Sequence, residues 1–264
     1  MKLHSLFNVH VPKGSLAIQW FGQSSYAIKT SRGTILLVDP FFPLHRPPTE
    51  YVYTESPLDE TTIPANLVLV THDHRDHNCI ESHQRLLQAN KGTIFLAPPE
   101  AVVRMKTGRI PEENIISVVA GDRIEHADMR VTAVYAKPPK GDPTSNIPEP
   151  DVRHLGFVVE CDGGPIWFSG DIIHTFADLE EVMAPVRALA PRIGAITTHP
   201  TEGEFPFFDG SRAIAERLGL KIALPAHYDC FVKGTYDPTE WKAHFPQNSS
   251  VQPVIPEFNK SFII

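Results

Sequence analysis

Eleven short apolar runs, each closed by turn residues, limit what this chain can fold into: SLAIQWFG, SYAIKTS, TILLVDP, NLVLVTH, TIFLAPP, NIISVVAGD, MRVTAVYA, LGFVVE, PIWFSGD, IGAITTH and KIALPAH. Runs of about four to eight residues rich in Val and Ile have the length of buried strands and are too short for core helices. Segments with helical spacing stand between them at about 79–90, 99–107, 175–190, 210–219 and 238–245, the third with Phe176, Leu179, Val182, Met183 and Val186 on one face. Strands alone at first, then strands alternating with helices, predict an α/β protein whose sheets are covered by helices. With 264 residues and no linker that divides it, the chain is expected to form one domain over 1–264.

Two Pro-rich polar stretches, 40–63 and 136–154, exceed the ~12–15 residues of ordinary structureless loops and are expected to be functional loops or lids. A net charge of −7 without any Lys/Arg block argues against nucleic acid as a partner. The N-terminus lacks the apolar core of a leader, and no stretch approaches the ~18 apolar residues of a membrane span. Cys79, Cys161 and Cys230 are odd in number, far apart and without a CxxC pair, so neither a disulfide framework nor a Cys-based metal knuckle is indicated. A soluble, cytoplasmic protein with no membrane partner is expected; self-association into a homo-oligomer stays open.

The run Leu67–Val70 ends in THDHRDHN, which crowds His72, His74 and His77 with Asp73 and Asp76. Ending a strand does not require imidazoles. His72 and His74, two residues apart, can reach one ion, and after a turn Asp76 and His77 can serve a second close by, as in two-metal hydrolysis. A solvated polar loop explains any one of these histidines, but not HxHxDH directly after a buried strand. Further ligands are expected at other strand ends, because α/β sheets gather ligands outside the carboxyl ends of their strands. Asp171 follows PIWFSG and His227 follows KIALPA. Alone, the first reads as a helix N-cap and the second as a buried histidine held by backbone; beside the cluster both become candidate ligands. Asp76 is the candidate for orienting the attacking hydroxide and accepting a proton, and Asp171 for bridging two ions. Asp39, closing TILLVDP, either steadies ligating imidazoles and loop amides or forms a turn before Pro40. His199, at the end of IGAITTH, is a candidate substrate contact. His4, His10, His45, His83, His126 and His244 read as surface or structural residues.

HxHxDH after a strand, a later SGD and a last strand ending in His resemble the metallo-β-lactamase superfamily. More narrowly, QWFGQSSYAI, THDHRDHN, FSGD, KIALPAHYD and the terminal KSFII resemble its L-ascorbate-6-phosphate lactonase branch, with matches from about residue 15 to the C-terminus. The resemblance implies a four-layer αβ/βα sandwich with the metal site along one edge of the two sheets. It also implies a hydrolase with one or two divalent ions, Mn²⁺ or Zn²⁺, acting through a metal-bound hydroxide on a lactone or related ester of a sugar-acid phosphate. A phosphodiesterase of the same fold and a non-catalytic metal- or ligand-binding protein are the alternatives. Wider members place a third histidine after the strand matching VTAVYA, where this chain has Ala136-Lys137; the lactonase branch also lacks it. His154, a whole loop later, is the nearest candidate, either completing the first site, contacting substrate or lying on the surface. Lys137, Lys140 and Arg153 of the same loop point to an anionic small-molecule substrate, or else only offset Asp142, Glu149 and Asp151.

Overall fold

The computed structural model describes residues 3–200 and 203–264. In chain order its elements are α1 (Ser5–Asn8), β1 (Leu16–Trp20), β2 (Tyr26–Thr30), β3 (Ile35–Val38), β4 (Leu67–Leu69), α2 (Ile80–Ala89), β5 (Ile94–Ala97), α3 (Pro99–Thr107), β6 (Ile115–Ser117), β7 (Arg123–His126), β8 (Met129–Tyr135), β9 (Leu155–Glu160), β10 (Ile166–Phe168), α4 (Glu180–Ala188), β11 (Ile193–Thr197), α5 (Phe208–Leu218), β12 (Ile222–Ala226), α6 (Pro238–Ala243), β13 (Gln252–Pro253) and β14 (Ser261–Ile263). Each of the eleven apolar runs contains a strand. The strands outside those runs are β7, β13 and β14, all at sheet edges. β7 reads Arg-Ile-Glu-His and pairs only with β8, so its charged side chains stay in water and its apolar signal is weak.

The strands form two seven-stranded sheets, ordered β14-β1-β2-β3-β4-β5-β6 and β13-β12-β11-β10-β9-β8-β7. In each, an antiparallel meander joins a parallel half: β3 to β6 run parallel in the first sheet, β10 to β13 in the second. Parallel strands covered on both faces are apolar at successive positions. Leu36 and Val38 of β3 enter the core shared with Phe157 and Val159 of the second sheet, while Ile35 and Leu37 enter an outer core with Leu86 of α2 and Met105 of α3. Full burial of one such side chain stabilises the fold by about 1.5–3 kcal/mol. On the far side α4 packs on β8 and α5 on β11. The result is the helix–sheet–sheet–helix sandwich that the resemblance implies. No described helix is long and apolar enough to cross a membrane.

This topology decides where chemistry can be placed. The carboxyl ends of β3 and β4, and of β10 and β12, point to one edge, and β9, antiparallel to β10, begins there. The two sheets are joined at that edge by Leu155 N–H, which donates to Thr71 O at 2.9 Å. Gly170, with φ of +61°, allows the approach: a Cβ there would lie 2.3 Å from Leu155 O and 3.2 Å from Thr71 Cβ.

Candidate metal centre

The loop after β4 is shaped from below by Asp39. This fully buried carboxylate accepts Thr71 N–H at 2.8 Å, Thr71 Oγ1–H at 2.7 Å and His77 Nδ1–H at 2.8 Å. From the side, Asn78 donates to Asp73 Oδ1 at 2.8 Å and accepts from buried His83 Nε2 at 3.0 Å. Burial pushes His83 down to about 3, so it is a neutral prop for the loop. Asp39, Gln23 and His227 have φ of 43, 52 and 69°, a region non-glycine residues seldom occupy outside constrained sites.

The loop aims its donors in two groups. In the first, His72 Nε2 and His74 Nδ1 are 3.0 Å apart, and the ring of buried His154 stacks on His72 at 4.0 Å. The outer nitrogens of His72 and His74 are engaged: His72 Nδ1 meets Thr71 Oγ1 at 2.9 Å and His74 Nε2 meets Asp151 Oδ2 at 3.1 Å, which turns their other nitrogens inward toward each other. The second group is Asp76, His77 and His227, with Asp76 Oδ2 3.5 Å from His77 Nε2 and 4.0 Å from His227 Nε2. Asp171 joins the groups. Its Oδ2 lies 3.7 Å from His72 Nε2 and 3.6 Å from both His77 Nε2 and His227 Nε2.

These residues fit divalent ions on the structure's own terms. His77 Nε2, both nitrogens of His154 and Asp171 Oδ1 are buried without any hydrogen-bond partner. Each such atom costs about 1–3 kcal/mol unless something binds it, and imidazole with carboxylate is a donor set that divalent transition metals favour.

Electrostatics divide the groups further. Burial, then the neighbouring His77 and His154, hold His72 well below its ordinary range, and burial with Lys137 brings His154 down to about 3. Both are neutral and ready to ligate. Burial opposes ionisation of Asp171, yet His227, His77, His154 and Lys137 together lower it to about 2. Burial also opposes the charge on His77, but Asp171, Asp76 and Asp39 outweigh it and raise the group to about 10. At pH 7.5 His77 therefore carries a second ring proton that an ion must expel, whereas His72 and His154 are neutral imidazoles. Loading the second group is expected to release more protons than loading the first. Calorimetry in buffers of different ionisation enthalpy measures this, and equal release at both steps would contradict the assignment.

The residues suggested for substrate contact are placed variously. Lys140 is exposed beside Pro143 and Asn146, in a hollow that none of the donors line. Arg153 faces Glu100 at 3.8 Å and borders a hollow of about 290 Å³ with His154 and Lys137. Lys137 is buried and paired with Glu204. His199 is buried, with Nε2 against Gly234 O and its ring edge-on to Tyr236, so it is engaged in packing.

Two features were missed by sequence reasoning. Gln23 Nε2 lies 2.9 Å from both Asp76 Oδ2 and His227 Nε2; a neutral amide has no titratable or spacing signature. The larger cleft, about 580 Å³, is lined by Asp76, Arg75, Arg104 and an aromatic wall of Phe41, Tyr51 and Phe231. Arg104 is 3.4 Å from Asp73 Oδ1, whereas exposed Arg75 has no carboxylate partner among the described residues. That Arg75 and Arg104 line one cleft could not be read without knowing that α3 packs beside the loop.

Comparison with known proteins extends this picture. The family described as Beta-lactamase superfamily domain matches residues 17–203. A UPF0173 metal-dependent hydrolase of Polaromonas sp. is 28% identical over 245 residues, 86% of this chain and 82% of that protein. A probable L-ascorbate-6-phosphate lactonase, UlaG, of Salmonella choleraesuis is 24% identical over 188 residues, 66% of this chain and 51% of that protein. Among solved structures, Igni18, a metallo hydrolase from Ignicoccus hospitalis, has a TM-score of 0.67 at 17% identity, covering 95% of this chain and 98% of that chain. The isothiocyanate hydrolase from Delia radicum gut bacteria has a TM-score of 0.69 at 12% identity, covering 93% and 98%. Identities this low speak for the fold alone. The family match is of another kind, since it runs through the HxHxDH loop, His154 and Asp171, and by it this chain belongs to the β-lactamase superfamily.

Proposed function

We propose that this metal-dependent hydrolase of the metallo-β-lactamase fold opens a lactone or related ester of a small anionic sugar-acid derivative, with Mn²⁺ or Zn²⁺ as its ion. The observation that carries the proposal is the position of Asp171 Oδ2, within 3.6–3.7 Å of imidazole nitrogens from both donor groups, beside a cleft that Asp76 also lines. His72, His74 and His154 would hold one ion, Asp76, His77 and His227 a second, and Asp171 would be shared. Bound there, such ions supply Lewis acidity and lower the pKa of water toward ~7. Asp76, partly exposed and facing the cleft, orients the attacking water and takes its proton. Arg75 and Arg104 at the cleft, and Arg153 at the smaller hollow, are cations that a phosphate or carboxylate could reach, whereas Lys137 is taken by Glu204. The similarity to the lactonase of Salmonella choleraesuis supports the substrate class.

The test is a paired assay of ion-loaded protein on sugar-acid lactones with and without a phosphate, beside a bis-aryl phosphodiester. The expected result is lactone opening, with kcat/KM higher for the phosphorylated member. Preferential turnover of the diester would make the protein a phosphodiesterase of this fold. No turnover of any substrate at full ion occupancy would favour a binding protein.

A further inference from the structure

We infer that Gln23 sets the occupancy of the second donor group, its side-chain amide taking the place of the ion between Asp76 and His227. The inference rests on the reading of those residues as a metal site. Gln23 lies just beyond β1, is buried, and its backbone is fixed on three sides: its N–H donates to Tyr228 O at 2.8 Å, and its carbonyl accepts His227 N–H at 3.1 Å and Trp20 Nε1–H at 3.0 Å. The side chain is thus launched from a fixed base that is bonded to the chain carrying His227.

Its Nε2 is 2.9 Å from Asp76 Oδ2 and 2.9 Å from His227 Nε2. An ionised carboxylate can only accept, so the amide must face Asp76 with its NH₂. One hydrogen goes to the carboxylate; the other faces His227 Nε2, which accepts it when the ring proton sits on Nδ1. These are the lone pairs with which Asp76 and His227 would hold a cation. The two atoms are 4.0 Å apart, and they cannot serve the amide hydrogens and an ion at once. Loading the second group therefore requires the amide to withdraw or turn over. Among the described residues no amide competes in this way for the first group: both nitrogens of His154 lack any hydrogen-bond partner, and the inward nitrogens of His72 and His74 face each other at 3.0 Å. The two positions are consequently unequal, the first filling at low ion concentration and the second only when the ion can displace Gln23.

Full-length protein stripped by chelator and titrated with Mn²⁺ tests this, with calorimetry for affinities and electron paramagnetic resonance for spin-coupled ion pairs. The parent is expected to show two unequal classes of site. Gln23→Ala is expected to tighten the weaker class by about tenfold, the scale of one or two hydrogen bonds no longer given up on loading, and to leave the tighter class unchanged. Gln23→Met, which keeps the length without the donors, should do the same and guards against lost packing. An unchanged or weaker second class in both variants, with the first class intact, overturns the role of Gln23 alone. Failure of the parent to bind any Mn²⁺ overturns the metal reading itself.

Discussion

Asp76→Asn is expected to lower kcat by at least ~10²-fold, the scale of general acid–base catalysis, in a protein that stays folded. Asp76 stands where the second donor group meets the larger cleft, with its side chain 24% exposed and Oδ2 3.5 Å from His77 Nε2. Asparagine keeps the shape but cannot accept a proton at that oxygen. Metal content has to be measured with the rate. Full activity at unchanged metal content rules out a proton-transfer role, whereas joint loss of metal and activity leaves Asp76 as a ligand only.

The largest loss of stability is expected from Asp39→Ala, about 3–5 kcal/mol, because it removes one partner of a buried ionic network. Thr71 N–H, Thr71 Oγ1 and His77 Nδ1 would all lose their acceptor in a place water does not reach. Burial holds the Asp39 carboxyl above its ordinary range even though His77 and Thr71 pull it down, so the network depends on the pairing with His77. The φ of 43° adds to the cost, since alanine tolerates that region poorly while asparagine accepts it. Asp39→Asn should therefore retain more of the stability. Urea unfolding of the metal-free proteins measures this without interference from ion binding, and a loss below about 1 kcal/mol for Asp39→Ala would show that the network contributes little.

Much of the fold was legible because buried strands in this architecture are apolar on both faces and stand out as unbroken runs. β7 was not, since an edge strand with charged positions facing water carries little apolar signal. For the site, His72, His74, Asp76 and His77 share one short segment, and Asp39, Asp171 and His227 each close a strand at its carboxyl end, so a rule about strand ends brings them forward as candidates. His154 precedes its strand instead. It reaches the same edge only because β9 runs against β10, a pairing that residue spacing does not reveal. Gln23 and Arg75 were out of reach for a different reason. Their significance lies in what they face, and no local pattern in the sequence encodes a neighbour fifty or two hundred residues away.

The join between the sheets at Thr71 and Leu155 bears on how the molecule comes together. The segment after β4 belongs to one sheet, whereas His154, Asp171 and His227 border strands of the other. Neither donor group is complete within one half: the first lacks His154 and the second lacks His227 until the halves have docked. An ion held across the boundary would act as a rivet, its binding energy accruing only to molecules already assembled. A copy whose halves have not met would thus hold neither donor group entire, and ion binding would report assembly.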